Sequence, residues 1–153
     1  MKTLFAFLML TAVLAACTPA QKEKTPETDL SITGTWKMIS GATIRGADTI
    51  VVDYTVNQSF IKIFNDTHFS FFRHDLSKGQ DSTAVFAAGA GTYTLKGNAY
   101  TEQLEYFTLR EWEGNQFEFT VSISQDTLIQ TGVEKIPELG VDQMIIEKYV
   151  KVK

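Results

Sequence analysis

The sequence predicts an all-β protein, an up-and-down antiparallel barrel of about eight strands. Three features of the 153-residue chain predict it. From Gly34 onward, short runs rich in β-branched and aromatic residues alternate with turn residues. No stretch of that region repeats apolar residues at a convincing helical spacing. The runs are joined mostly by very short connections, which turn sequence neighbours into hairpin partners and favour an up-and-down barrel over a Greek-key sandwich.

The first strand covers residues 35–43. Residues 48–56 are β-rich as well, and are either an additional strand or a lid over one barrel end. Residues 60–64 and 68–73 flank Asn65-Asp66-Thr67, whose short polar side chains favour a tight turn. Residues 92–95 and 99–107 flank Lys96-Gly97-Asn98, residues 116–124 and 127–131 flank Gln125-Asp126, and residues 143–152 close the chain. Gly89-Ala90-Gly91 has no helix after it to cradle a phosphate, and is read as a bulge or bend where a strand enters the barrel.

Alternation assigns the faces, because successive side chains on a strand point to opposite sides. Phe117, Phe119, Val121 and Ile123 share the inward face, leaving Gln116, Glu118, Thr120 and Ser122 outside. The turn at Gln125-Asp126 sets Ile123 opposite Leu128 and Val121 opposite Gln130, so Gln130 also points inward. Tyr93, Leu95, Tyr100, Glu102, Leu104 and Tyr106 are assigned inward on the preceding hairpin, and Trp36, Met38 and Ser40 on the first strand. Residues 60–73 resist assignment because both faces carry phenylalanine or isoleucine.

A hydrocarbon core has no need of the polar members of this set, since an unpaired buried carboxylate or amide is costly. They suit a barrel that encloses a small ligand. The candidate binding residues are Met38, Ser40, Tyr93, Tyr100, Glu102, Tyr106, Phe117, Phe119 and Gln130. The rings and Met38 would supply apolar area, and Glu102, Gln130 and Ser40 would orient a polar end. In the alternative reading, the polar groups pair with one another around internal water.

Fourteen Lys and Arg stand against eighteen Asp and Glu, an acidity that argues against nucleic acid as a partner. Residues 1–16 have the form of a secretory signal peptide: Lys2, an apolar run over 4–14 too short to span a bilayer, and small residues ahead of position 17. Residues 18–32 carry Pro19, Pro26, mixed charges at Lys22, Glu23 and Lys24, and no aromatic side chain. Such a stretch buries too little to offset its ordering entropy, so residues 17–32 are expected to form a flexible tether to a domain over 33–153.

Leu14-Ala15-Ala16-Cys17 resembles the lipobox of bacterial lipoproteins. The resemblance implies that Cys17 becomes the mature N-terminus and carries acyl chains such as palmitate. Each buried methylene contributes about 0.8 kcal/mol of membrane affinity, which would hold the domain at a membrane surface. Thr18, in place of the aspartate associated with inner-membrane retention, implies the outer membrane of the cell envelope. Cys17 is the only cysteine, so once lipidated it leaves no thiol for a disulfide, a zinc site or a nucleophile.

Gly34-Thr35-Trp36 resembles the glycine-x-tryptophan that opens the first strand of lipocalins. An ordered series extends the match: residues 61–69, Gly91-Thr92-Tyr93-Thr94-Leu95 with Gly97-Asn98, Tyr100-Thr101-Glu102, Asp126-Thr127 and Gln130-Thr131-Gly132. Together these are similar to the lipocalin-like domain lipoproteins of Bacteroidetes-type bacteria, calycin-like barrels of unknown function. The resemblance implies that Trp36 packs at a closed end beneath a basic side chain of the last strand, here Lys151, with Tyr149 beside it. Those relatives tend to carry tryptophan and arginine where this chain has Tyr149 and Lys151, and lysine lacks the planar donor fork of a guanidinium. Trp36, Tyr149 and Lys151 are therefore structural candidates.

Little else in the sequence suggests chemistry. His68 and His74 stand six residues apart on one strand, roughly 20 Å at about 3.3 Å per residue, too far to share a metal. No serine-nucleophile elbow or His-Glu-x-x-His pattern occurs. Glu102 and Glu105 differ in parity and cannot act as a catalytic pair. Glu111 and Glu113 flank Trp112 in a loop, where the indole is a rim contact point. No catalytic residue, metal or cofactor is expected. The expected protein is a monomeric, membrane-anchored binder of a small apolar or amphipathic molecule, with an envelope module that binds protein or glycan through a filled barrel as the alternative.

Overall fold

A computed structural model of the chain describes residues 30–153; the expected signal peptide, Cys17 and the expected tether up to position 29 lie outside the described residues. The strands are β1 (Gly34–Arg45), β2 (Asp48–Asp53), β3 (Gln58–Phe64), β4 (His68–Asp75), β5 (Phe86–Lys96), β6 (Ala99–Phe107), β7 (Gln116–Ser124), β8 (Thr127–Ile136) and β9 (Val141–Lys151). Two short 3-10 turns, Arg110–Trp112 and Pro137–Leu139, lie in the β6–β7 and β8–β9 connections. Every strand pairs antiparallel with its neighbour, and β1 also pairs with β9, closing eight strands into an up-and-down barrel.

β2 stands outside the ring. One edge of β1 is shared, residues Gly34 to Lys37 pairing with β3 and Ser40 to Arg45 with β2. Residues 48–56 are thus an additional strand followed by a turn, whose Tyr54 ring meets Phe60 edge-on at 5.5 Å. The predicted hairpins are all present, with β5 and β8 longer than the sequence suggests. Asn65 caps its turn by accepting from the backbone N–H groups of Thr67 and His68, which explains the tight reversal there.

Two β-bulges re-aim side chains that strict alternation places inward. In β1 the register against β9 shifts between Met38 and Ser40, so Met38 faces Tyr149 while Ser40 faces Lys148. Ser40 consequently lies on the outer face, and Gly41, opposite Glu147, takes the inner one. In β6 the register shifts between the Gly91–Leu104 and Ala90–Tyr106 pairs, leaving Glu105 as the extra residue. Tyr106 is turned out and is 65% exposed, while Phe107 turns in. Gly89-Ala90-Gly91 lies opposite this bulge, as the bend reading anticipates.

The barrel base is filled. Ile32, Trp36, Phe64, Phe69, Tyr100, Val121, Leu128 and Tyr149 are buried there, and Lys151 sits over the Trp36 ring with its ammonium 5.0 Å from the centroid. Lys151 donates to the Thr33 carbonyl at 3.0 Å, and Trp36 Nε1 donates to that of Ile32 at 2.7 Å. The end of the expected tether is therefore part of the domain: Ile32 is 1% exposed and Leu30 packs on the core. An apolar pair this close to the first strand gains more from burial than it loses in chain entropy.

A methyl group added at Gly91 would collide with the backbone carbonyl of Gln103 across the bulge, and no side chain can yield to relieve it. Gly91→Ala is expected to lower stability by about 2 kcal/mol or more in urea melts, whereas Gly46→Ala, with open space around the glycine, costs only its left-handed backbone strain of about 1 kcal/mol.

Candidate functional site

Above the filled base lies a cavity of about 290 Å³. Its floor is an ionic network. β3 has Phe60, Lys62 and Phe64 on its inner face, with Ile61 and Ile63 pointing away, so a lysine enters the barrel. Lys62 is 3% exposed and forms a salt bridge with Glu102 of β6. It also donates to Oε1 of Gln130 on β8 at 3.0 Å, while the Tyr100 hydroxyl donates to the same Glu102 oxygen at 2.6 Å. The ammonium lies 5.1 Å from the ring centroid of Phe69 and 5.5 Å from those of Phe64 and Tyr100, so ring faces support the charge from below.

Aromatic rings line one side of the cavity in an unbroken series. Phe71 meets Phe107 at 5.5 Å, Phe107 meets Trp112 at 6.0 Å, Trp112 meets Phe117 at 6.0 Å, and Phe117 meets Phe119 at 6.3 Å. Such edge-on and tilted geometries suit the ring quadrupoles. Leu109 and Trp112, from the β6–β7 connection, stand at the barrel end opposite Trp36.

The other side is acidic. Glu134 of β8 and Glu147 of β9 line the cavity, each held by one neighbour: Gln143 donates to Glu134, and the Tyr149 hydroxyl donates to Glu147 at 2.7 Å. Arg45 fixes Gln143 in turn by donating to its carbonyl at 2.7 Å. Burial pushes the Glu134 carboxyl up to about 7; the Gln143 bond and the charge of Lys62 oppose this, and the charges of Glu147 and Glu102 add to it. Burial likewise raises Glu147 above the usual carboxylate range, against the pull of Lys62 and Tyr149. Tyr100 and Tyr149 are held well above the ordinary phenol value, first by burial and then by the carboxylates beside them, so both stay protonated donors.

Of the predicted binding residues, Glu102, Phe117, Phe119 and Gln130 line this cavity. Met38 and Tyr100 are buried beneath it, and Tyr93 turns toward the closed end, its hydroxyl donating to the Asn65 carbonyl at 2.6 Å. Ser40 and Tyr106 face outward because of the two bulges. Tyr149 is buried, but its hydroxyl serves Glu147 rather than the Trp36 plug. Lys62, Glu134 and Glu147 are the residues that alternation missed. A search for the cation that a buried Glu102 requires would have singled out Lys62, the one charged residue between Phe60 and Phe64.

His68 and His74 both point away from the interior. No group of three His, Cys, Asp or Glu among the described residues is arranged to hold a metal. No described helix is long and apolar enough to cross a membrane. No protein-family model matches the chain, and no curated protein matches it.

Two outcomes test this electrostatic picture. Lys62→Met strands Glu102 in the interior and is expected to cost about 3–5 kcal/mol in chemical denaturation, while the double change Lys62→Met with Glu102→Gln recovers much of that loss. Glu134 binds its proton more tightly in the fold than in the unfolded chain, so its contribution to stability is present at low pH. That contribution is lost as pH rises from about 4.5 to about 7. Glu134→Gln should therefore raise the melting temperature relative to wild type above pH 7, and leave it little changed near pH 4.5.

Proposed function

We propose that the protein is a non-enzymatic binding lipoprotein of the bacterial envelope, anchored through lipid on Cys17 and holding a small, partly apolar molecule inside its barrel. The observation that carries this reading is the cavity above Lys62, with an aromatic wall and convergent polar groups. A filled barrel serving as a protein or glycan interaction module would not need that space. The closed up-and-down barrel is compatible with a lipocalin-like fold, the Leu14-Ala15-Ala16-Cys17 segment supports acylation, and Thr18 after it supports an outer-membrane location. The acidic balance of the chain, eighteen Asp and Glu against fourteen Lys and Arg, supports a partner other than nucleic acid, and a monomer suffices for an enclosed site.

Growth with a clickable palmitate analogue is expected to label the full chain and place it in the membrane fraction. Cys17→Ser should abolish both label and membrane association. Mass spectrometry of organic extracts from the Cys17→Ser protein is expected to return a compound near one per barrel. An extract with no such compound, from a protein that melts cooperatively, would instead favour the interaction module.

A further inference from the structure

The cavity has two unlike walls, and its charges do not balance. Phe71, Phe107, Trp112, Phe117 and Phe119 form one side, and Glu134 and Glu147, from the adjacent strands β8 and β9, form the other. Three carboxylates line the space with one ammonium, and Lys62 is already committed to Glu102 and Gln130. Arg45 reaches this region only through Gln143.

Glu134 and Glu147 each receive one bond, at Oε2, and their Oε1 atoms have no donor among the described residues. Neither Oε1 is sealed away, because no buried side-chain polar atom there lacks a partner. The two free acceptors therefore open onto accessible space. A hydrocarbon ligand would leave them unmatched, and an anion would be repelled. An occupant with cationic N–H donors and an apolar body would satisfy both walls, since ring faces also favour a cation.

The geometry points to an organic cation as the ligand: a small amine on an aromatic or short aliphatic body, with its ammonium bonded to Glu134 and Glu147. This rests on the small-molecule reading above and narrows it. The volume, about 290 Å³, is at the low end for ligand pockets and suits a single ring or short chain rather than a long acyl lipid.

The test uses the full chain with Cys17→Ser and three probes of one skeleton but different charge: 2-phenylethylamine, 2-phenylethanol and phenylacetate. In calorimetric titrations at about pH 8, the amine is expected to bind at least tenfold tighter than the alcohol, and phenylacetate to bind weakest. Glu134→Gln and Glu147→Gln should each weaken the amine by about tenfold while leaving the alcohol unchanged. Lowering the pH to about 6 should weaken amine binding as Glu134 takes up a proton in the field of Glu147, Glu102, Lys62 and Arg45, and the loss should be smaller in Glu134→Gln. If the alcohol matches the amine, or phenylacetate binds best, the cation assignment is wrong and the small-molecule reading stands. If no probe binds at millimolar concentration or raises the melting temperature, the cation assignment falls, and the organic extraction decides the small-molecule reading separately. The wild-type comparison decides these outcomes even if a glutamine variant fails to fold.

Discussion

The structure is organised around one buried ammonium. Lys62 separates a barrel base packed with rings from an upper half that holds open space. An ammonium in such a position is tolerable only with a counter-charge and further hydrogen bonds, and Glu102, Gln130 and Tyr100 supply them. The same network settles a register that apolar content leaves open. A one-residue slip of β3 would bring Ile61 and Ile63 inside and turn Phe60, Lys62 and Phe64 out, a trade in which hydrophobic burial hardly changes. With Lys62 outside, Glu102 would be buried without a cation. The ion pair breaks the tie, and Trp36 then faces Lys62 across β1 and β3.

The irregularities of the sheet shape the cavity wall. The extra residue at Glu105 exchanges Tyr106 for Phe107 on the inner face, and Phe107 links Phe71 to Trp112. Without that bulge Tyr106, with its polar hydroxyl, would stand on the inner face in place of Phe107. The shift at Ile39 brings Gly41 opposite Glu147, where the absence of a side chain leaves room for the Tyr54 ring 3.1 Å from the place a Cβ would occupy. In both places one added residue changes the shape of the interior without breaking the barrel.

The fold was legible because hairpin turns and alternation are local signals. Alternation also placed Glu102, Phe117, Phe119 and Gln130 correctly, since β7, the start of β8 and β6 up to Leu104 are regular. It failed wherever regularity failed, at Ser40 and Tyr106, because a bulge has no signature in a pattern that assumes a period of two. Lys62 was hidden by the equal apolarity of the two faces of β3. Glu147 lies in the expected closing strand, residues 143–152, to whose faces alternation was not applied, and Glu134 was missed for a different reason. Gly132 suggests the end of a strand, but it lies within β8, where a Cβ would clash with the Glu118 carbonyl and Phe119. The glycine marks close strand approach, and the strand continues past it to Glu134.

The two ends of the barrel answer the same physical problem differently. At the base every polar group closes locally: Trp36 onto Ile32, Lys151 onto Thr33, Tyr93 onto Asn65. In the upper half, Glu134 and Glu147 are held by one bond each, and their second oxygens face open space, with burial raising both carboxyls. Leucine or valine at these two positions would fill the space and remove the electrostatic cost. A chain that packs its base so completely has the means to pack its upper half as well. On the proposed binding reading, the unmatched acids answer a demand of the site rather than of the fold, in keeping with the tendency of local rules to fail where a protein does its work.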